Sequence, residues 1–262
     1  MWGTLLELLI QILTFCAIGA GAYALTRLLR FRRRDWPFAD PKRVGIQATA
    51  VVLLGWVLLT VYLVSASSFV SLIEPHPSVR VYAARDIGVK LFRSVLAFGP
   101  LLVFMIWRRE SWASARVSKH NLYRSLLVGG ILAGLIVASV LGRFGGDSQT
   151  VLTRLTTSHL WALAYYSLTG LVEELAFRGF LQTRVSAWLG RVRGVAFVAG
   201  LMSLAHIPQR IYVSGMAFGD AIVSSVALIP INLLFGHIML QTENVVAPGL
   251  FHVFVDWSVT LT

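Results

Sequence analysis

The sequence predicts an all-α, polytopic membrane protein with about eight transmembrane helices and a buried polar site. Of its 262 residues, 56% are hydrophobic and 13% are charged, and the mean hydropathy is +0.73. A soluble domain carries about 25% charged residues. The charges here are also clustered between long apolar runs. Because an open sheet cannot satisfy its backbone polar groups in lipid, these runs predict helices.

Eight apolar runs are candidates for the transmembrane helices. A helix needs about 20 residues, at about 1.5 Å each, to cross a hydrocarbon core of about 30 Å. Most runs have this length or can extend into flanking residues. They comprise residues 8–26, 44–73, 94–107, 125–142, 155–172, 194–209, 221–240 and 244–262. We expect one integrated membrane domain, with N-terminal transmembrane helices without a motif in residues 1–150 and a motif-bearing core in residues 151–262.

The basic residues predict the orientation in the membrane. A net charge of +11 could indicate a nucleic-acid partner, but 16 of the 23 Lys and Arg lie in three loops beside the apolar runs, at residues 27–43, 108–124 and 178–193. This placement is typical of cytoplasmic loops that contact anionic lipids. We therefore expect no nucleic-acid partner, contact with membrane lipids, both termini outside the cytoplasm, and a bacterial-type plasma membrane. The oligomeric state stays open.

The remaining loops give weaker signals. Residues 67–89 contain two prolines and predict an interfacial segment. The outer loop ahead of the third apolar run is expected to hold four basic residues, Arg80, Arg85, Lys90 and Arg93. Arg184, together with its basic neighbours Arg191 and Arg193, is expected to extend its guanidinium to the lipid headgroups.

Ionisable residues inside apolar runs identify the candidate site, because charge is costly in hydrocarbon. They are Glu173, Glu174 and Arg178 in GLVEELAFRGF, His206 in LMSLAHIP, His237 in LLFGHIML, and His252 and Asp256 in GLFHVFVDW. Counting along helices of alternating direction places Glu173, His206 and His252 roughly 9, 18 and 12 Å above the cytoplasmic boundary. His252 and Asp256 are four residues apart and share a helix face.

Carboxylates and imidazoles that converge in a low-dielectric bundle suit a hydrolytic site that activates water. Adjacent glutamates on a helix point about 100° apart, so one of Glu173 and Glu174 can face a cavity while the other pairs with Arg178 or a backbone donor. Structural roles are the alternatives. Glu174 and Arg178 can form a purely structural ion pair, and His237 is expected to make an interhelical hydrogen bond.

These residues resemble three motifs of the CAAX protease and bacteriocin-processing family of glutamic intramembrane endopeptidases. The motifs correspond to EELAFR (Glu173, Glu174, Arg178), LMSLAH (ending at His206) and HVFVD (His252, Asp256). The resemblance covers about residues 155–262. It implies an all-helical membrane fold with its site inside the bilayer, and it implies that Glu174 and Arg178 support that site.

The resemblance also implies catalytic roles. Glu173 would activate the attacking water, and His206 would bind the same water or carboxylate. His252 and Asp256 would polarise the scissile carbonyl and hold the oxyanion. Two positions depart from the family pattern. Met202 stands where Phe is usual, and Asp256 stands where Asn is frequent. An ionised aspartate can only accept hydrogen bonds, so Asp256 either orients His252 or is itself protonated.

The leading hypothesis is an intramembrane endopeptidase that cleaves a membrane-anchored or leader-bearing protein without a cofactor or metal. One alternative is a zinc-assisted membrane hydrolase, since two histidines and two carboxylates can ligate zinc, although an HExxH helix is missing from the sequence. Another is a transporter or scaffold that uses the buried polar cluster, although the sequence has no evident inverted repeat.

Overall fold

The computed structural model describes residues 2–32, 38–73, 81–143 and 155–261, and within these ranges all regular structure is helical. The predicted all-α fold is therefore confirmed. The helices are α1 (Trp2–Leu28), α2 (Pro41–Ile73), α3 (Ala84–Trp107), α4 (Leu122–Arg143), α5 (Thr157–Glu174), α6 (Thr183–Leu189), α7 (Arg191–Ala205), α8 (Ile207–Tyr212), α9 (Phe218–Val226), α10 (Ile229–Thr242) and α11 (Val246–Ser258).

Most of each of the eight apolar runs lies on helix, but two runs are divided. Residues 194–209 are shared by α7 and α8, and residues 221–240 are shared by α9 and α10. The interfacial segment predicted for residues 67–89 is helical at both ends, and its residues 74–80 lie outside the described residues. Helix α3 begins ten residues before its apolar run, at Ala84, so Lys90 and Arg93 lie on this helix and not in an outer loop.

Long apolar helices make this an integral membrane protein. Within the described ranges, four segments have the length and composition to cross a membrane: Pro41–Ala66, Ala84–Trp107, Leu122–Gly142 and Phe218–Thr242. The last of these comprises α9 and α10. Two further apolar segments are shorter: Ile12–Leu28, within α1, and Val246–Leu261, which comprises α11 and the turn that follows it. Large apolar side chains on the outer surface of α3, such as Val103 and Ile106, are mostly exposed and suit contact with lipid.

Two glycines allow the helices around the candidate site to approach closely. A Cβ at Gly55 of α2 would lie 1.8 Å from the carbonyl oxygen of Ala97 in α3. A Cβ at Gly170 of α5 would lie 2.9 Å from Cγ2 of Val253 in α11. Small residues at such crossings let membrane helices gain van der Waals contact. The spacing of α2 from α3, and of α5 from α11, therefore depends on these two positions.

The predicted exposure of Arg184 is wrong. Its side chain is fully buried, its Nη2 is paired with Glu110, and its Nη1 donates to the backbone oxygen of Phe180 at 2.9 Å. The guanidinium also lies 3.8 Å from the centre of the Phe180 ring. A carboxylate, a carbonyl and an aromatic face inside the protein thus satisfy the charge, and Arg184 has no need to reach the headgroups.

Polar contacts also join the two halves of the chain beyond the ends of the helices. Asn244 donates from Nδ2 to the carbonyl oxygens of Ser118 and His120, both at 2.9 Å. Asn121 donates from its own Nδ2 to the carbonyl oxygen of Thr242 at 3.1 Å. These bonds hold the segment after α3 against the turn between α10 and α11.

Substitution Gly55→Ala should destabilise the protein, because the new methyl group meets backbone and not a flexible side chain. Overpacking of this kind typically costs about 1–3 kcal/mol in the free energy of unfolding. The matched control is Gly130→Ala in α4, where an added Cβ has open space and alanine should be neutral or favourable by about 0.5–1 kcal/mol. Unfolding in mixed detergent micelles, followed by circular dichroism, measures both. Equal stability of the two variants would refute the close crossing.

Candidate active site

The candidate site begins where α5 changes its winding. Helix α5 ends at Glu174 and continues without a break into a π-helical segment, Leu175–Gln182, which leads into α6. Segments of this winding are uncommon and frequently occur at functional sites. Glu173 and Glu174 form the end of α5, and Arg178 lies one turn later. The wider turn therefore occurs within the EELAFR motif.

Glu174 is the centre of a buried polar network. Its Oε1 forms an ion pair with Arg178 Nη1 at 3.1 Å and accepts a hydrogen bond from His252 Nδ1 at 2.9 Å. Arg178 Nη2 donates to Asn232 Oδ1 at 2.5 Å, and Asn232 Nδ2 donates to Ser203 Oγ at 2.9 Å. Glu174 and Arg178 are both fully buried. Since charges in such a place are stable only when paired and hydrogen-bonded, the network fixes α5, α7, α10 and α11 relative to one another.

His252 has a carboxylate beside each ring nitrogen. Nδ1 contacts Glu174, and Nε2 lies 3.4 Å from Asp256 Oδ2. The ring also stacks on Phe235, with 4.6 Å between ring centroids. These contacts hold the imidazole in place from three sides. Of the two roles considered for Asp256, the geometry favours orientation of His252.

Glu173 points away from this network and lines a cavity of about 290 Å³. His206, Asp256, Lys90 and Arg210 line the same cavity. A second, smaller cavity of about 90 Å³ is walled mainly by apolar side chains of α2 and α3, and Glu173, His206 and Lys90 line it as well. Glu173 and His206 therefore lie where a polar cavity meets an apolar one.

One hydrogen bond of the His206 ring shows which nitrogen carries the proton when the ring is neutral. Its Nδ1 lies 2.8 Å from the backbone oxygen of Met202. A carbonyl oxygen only accepts, so Nδ1 carries the proton and donates it. In the neutral ring, Nε2 is then an acceptor. His206 thus combines an anchored ring with a nitrogen that can accept hydrogen from a water in the cavity.

The predicted site residues thus form two connected groups. Glu173, His206 and Asp256 line the larger cavity, whereas Glu174 and Arg178 lie in the buried network. His252 connects the two groups through its contact with Asp256. His237 is separate from both, since it bonds to the backbone of Gly19 in α1, in accordance with the interhelical role expected for it.

Three residues of the site were missed by sequence reasoning. Asn232 accepts a hydrogen bond from Arg178 and donates one to Ser203. In the sequence, the sign of these two residues is an uncharged polar side chain inside an apolar run.

Lys90 of α3 is the third missed residue, and it places its Nζ 3.5 Å from Glu173 Oε1 and 5.5 Å from the centre of the Tyr165 ring. Lys90 was missed because it precedes the third apolar run and was expected in a loop. Met202, the residue at the position where the family usually has Phe, contacts Arg178 through its sulfur.

The described part of the chain contains no group of three or more His, Cys, Asp or Glu side chains placed to hold a metal ion. His252 does not line the cavity that His206 lines, and its two nitrogens lie beside Glu174 and Asp256. The zinc-binding arrangement considered from the sequence therefore has no support from side-chain geometry.

Comparison with known proteins finds a similarity in the C-terminal part of the chain. Residues 155–258 match a family model described as type II CAAX prenyl endopeptidase Rce1-like. No curated protein and no solved structure gives a significant match. The matched range includes every site residue predicted from the sequence and confirms the resemblance based on the three motifs. Residues 155–258 are therefore similar to the CAAX protease family, and this similarity indicates a membrane-embedded hydrolase that acts on a membrane-associated protein.

Proposed function

We propose that this protein is an intramembrane endopeptidase in which Glu173 activates water to hydrolyse a peptide bond of a membrane-tethered protein. The observation that carries the proposal is the shared position of Glu173 and His206 at the junction of the two cavities. A carboxylate and a neutral imidazole can bind one water between them there. The larger cavity, about 290 Å³, has room for several waters, since one water occupies about 30 Å³ in the liquid.

The two glutamates have different tasks in this proposal. Glu174 is fully buried and its Oε1 binds both Arg178 and His252, so it supports the structure of the site. Glu173 is partly exposed to the cavity, and its ion-pair partner among the described residues is Lys90. Glu173 is therefore the carboxylate that can take a proton from water and return it to the leaving nitrogen.

The substrate reaches the site from the membrane. The smaller cavity is lined by Trp56 of α2 and Phe98 of α3, which suits an apolar part of the substrate. The matched family is described by its action on CAAX prenyl proteins. We infer a substrate of the same general kind, with a lipid anchor, a leader or a C-terminal sorting segment that holds the scissile bond at the membrane.

Substitution Glu173→Gln should abolish cleavage, because an amide cannot accept the proton from water. We expect a loss of at least about 100-fold, with the protein still folded and inserted. Terminal-peptide proteomics of cells that carry the wild-type or the Glu173→Gln protein measures this loss and identifies the substrate. The control is Asp220→Asn in α9, an exposed carboxylate outside both cavities. Identical terminal peptides in wild-type and Glu173→Gln cells would contradict the proposal.

Glu174→Gln should instead act on stability. Removing one partner of a buried ion pair costs about 3–5 kcal/mol, and here Arg178 would lose its carboxylate. Glu173→Gln should change the free energy of unfolding by less than about 1 kcal/mol, because its pair with Lys90 is longer and partly exposed. Unfolding of both variants in mixed detergent micelles tests the difference. A larger loss in Glu173→Gln would reverse the assignment of the two carboxylates.

Metal chelation separates this mechanism from zinc-assisted hydrolysis. Purified protein should retain its cleavage rate in 1,10-phenanthroline or EDTA, because Glu173 and His206 activate the water directly. As a control, elemental analysis of the same sample measures how much zinc is bound to the protein. Loss of activity that added zinc restores would support the metal-assisted alternative.

A further inference from the structure

We propose that Lys90 is a catalytic residue, whose ammonium group stabilises the oxyanion that forms when water attacks the scissile carbonyl. This inference rests on the proposed hydrolysis at Glu173. It assigns a role to helix α3, which lies outside the residues that match the family model. It also supplies a hydrogen-bond donor for the oxyanion, a role for which the other described residues are placed less well.

Hydrolysis of a peptide bond requires a donor at the carbonyl oxygen. As water attacks, negative charge develops on that oxygen, and a donor fixed in advance stabilises the charge. The nitrogens of His252 already face Glu174 at 2.9 Å and Asp256 at 3.4 Å. An ionised Asp256 accepts hydrogen bonds and would repel an oxyanion. His252 lines neither cavity, so with Asp256 ionised the third-motif pair directs no donor at the substrate in this arrangement.

The other cations near the site are placed less well than Lys90. Arg178 is fully buried and bonded to Glu174 and Asn232, so substrate cannot reach it. Arg210 lines only the larger cavity and Arg93 only the smaller one, whereas Lys90 lines both cavities together with Glu173 and His206. Lys90 is thus the cation found at the junction where the water and the scissile bond must meet.

The contacts of Lys90 hold its ammonium group in place and leave N–H groups that can donate to a substrate. An ammonium group has three N–H donors. Among the described residues, its hydrogen-bond acceptor is Glu173, with 3.5 Å between Nζ and Oε1. The face of the Tyr165 ring, 5.5 Å away, favours the positive charge at this position. The side chain keeps 15% of its surface exposed, so a carbonyl oxygen that enters the cavity can accept one of the remaining hydrogens.

The reaction then balances with water as the second reactant. The water oxygen bonds to the carbonyl carbon, its proton passes to the Glu173 carboxylate, and the π-electron pair of the carbonyl moves to oxygen, where Lys90 binds the negative charge. When the intermediate collapses, the C–N bond breaks and Glu173 returns the proton to the leaving nitrogen. The products are a carboxyl group and an amine, and Lys90 keeps its own protons throughout.

The test uses an internally quenched, membrane-anchored peptide that spans the cleavage site identified by the Glu173-dependent proteomics. Lys90→Met keeps the length of the side chain but removes its charge. We expect kcat to fall about 10²–10³-fold, the usual effect of removing one oxyanion donor, with KM changed less than about threefold. Lys90→Arg should recover part of the rate. A kcat within threefold of wild type in Lys90→Met would overturn the inference.

Chemical rescue distinguishes charge from packing. Cys16 is the one cysteine in the chain and is exposed, so Cys16→Ser provides a background in which a Lys90→Cys thiol reacts alone. Alkylation with 2-bromoethylamine restores an amine at nearly the original reach and should restore at least a tenth of the rate. Alkylation with iodoacetamide adds a neutral group and should not. Equal recovery with both reagents would contradict a role for the charge.

A phosphinate analogue of the same peptide separates contact with the oxyanion from positioning of Glu173. Its anionic oxygen occupies the place of the oxyanion, so Lys90→Met should raise its Kd by the factor by which kcat/KM falls. An unchanged Kd with a reduced kcat would show that Lys90 acts only through Glu173. If Glu173→Gln itself leaves cleavage intact, the proposed function fails. If Glu173→Gln abolishes cleavage and Lys90→Met does not slow it, only the role of Lys90 fails.

Discussion

Arg178 has no exposure to solvent and lies among helices packed for a membrane, so its charge requires a carboxylate, and Glu174 supplies it at 3.1 Å. This one ion pair constrains the rest of the site. Because Glu174 faces Arg178, the preceding residue on the helix must face elsewhere, and Glu173 enters the cavity. Because Glu174 also accepts from His252, α11 is held in register with α5. The buried pair thus determines which carboxylate remains accessible to water.

The helices that bring an apolar wall to the site come from the first half of the chain. Gly55 allows α2 to pack directly on the backbone of α3, and the two helices together contribute Trp56, Phe98 and Lys90 to the smaller cavity. The family match begins only at residue 155. The cavity that Glu173 lines therefore combines a wall from the matched range with a wall from α2 and α3, which lie outside that range.

Sequence reasoning identified the candidate site residues because ionisable residues are unusual inside apolar runs, and the cost of burying charge makes Glu173, His206 and His252 informative. It could not locate Lys90, since a charged residue just before an apolar run looks like part of a loop until the start of α3 at Ala84 is known. Asn232 was missed because a neutral amide in a membrane helix is readily explained by an interhelical hydrogen bond. Arg184 was misplaced because its partner, Glu110, is distant in the sequence.

The departure at Asp256 and the position of Lys90 have a common electrostatic explanation. The family motif often ends in Asn, which can donate a hydrogen bond, whereas an ionised Asp256 cannot. In this chain the carboxylate of Asp256 instead lies 3.4 Å from His252. In the mechanism that we propose, a site without a donor on α11 needs one on a different wall of the cavity. Lys90, beside Glu173 on α3, is the residue whose charge and reach meet that need.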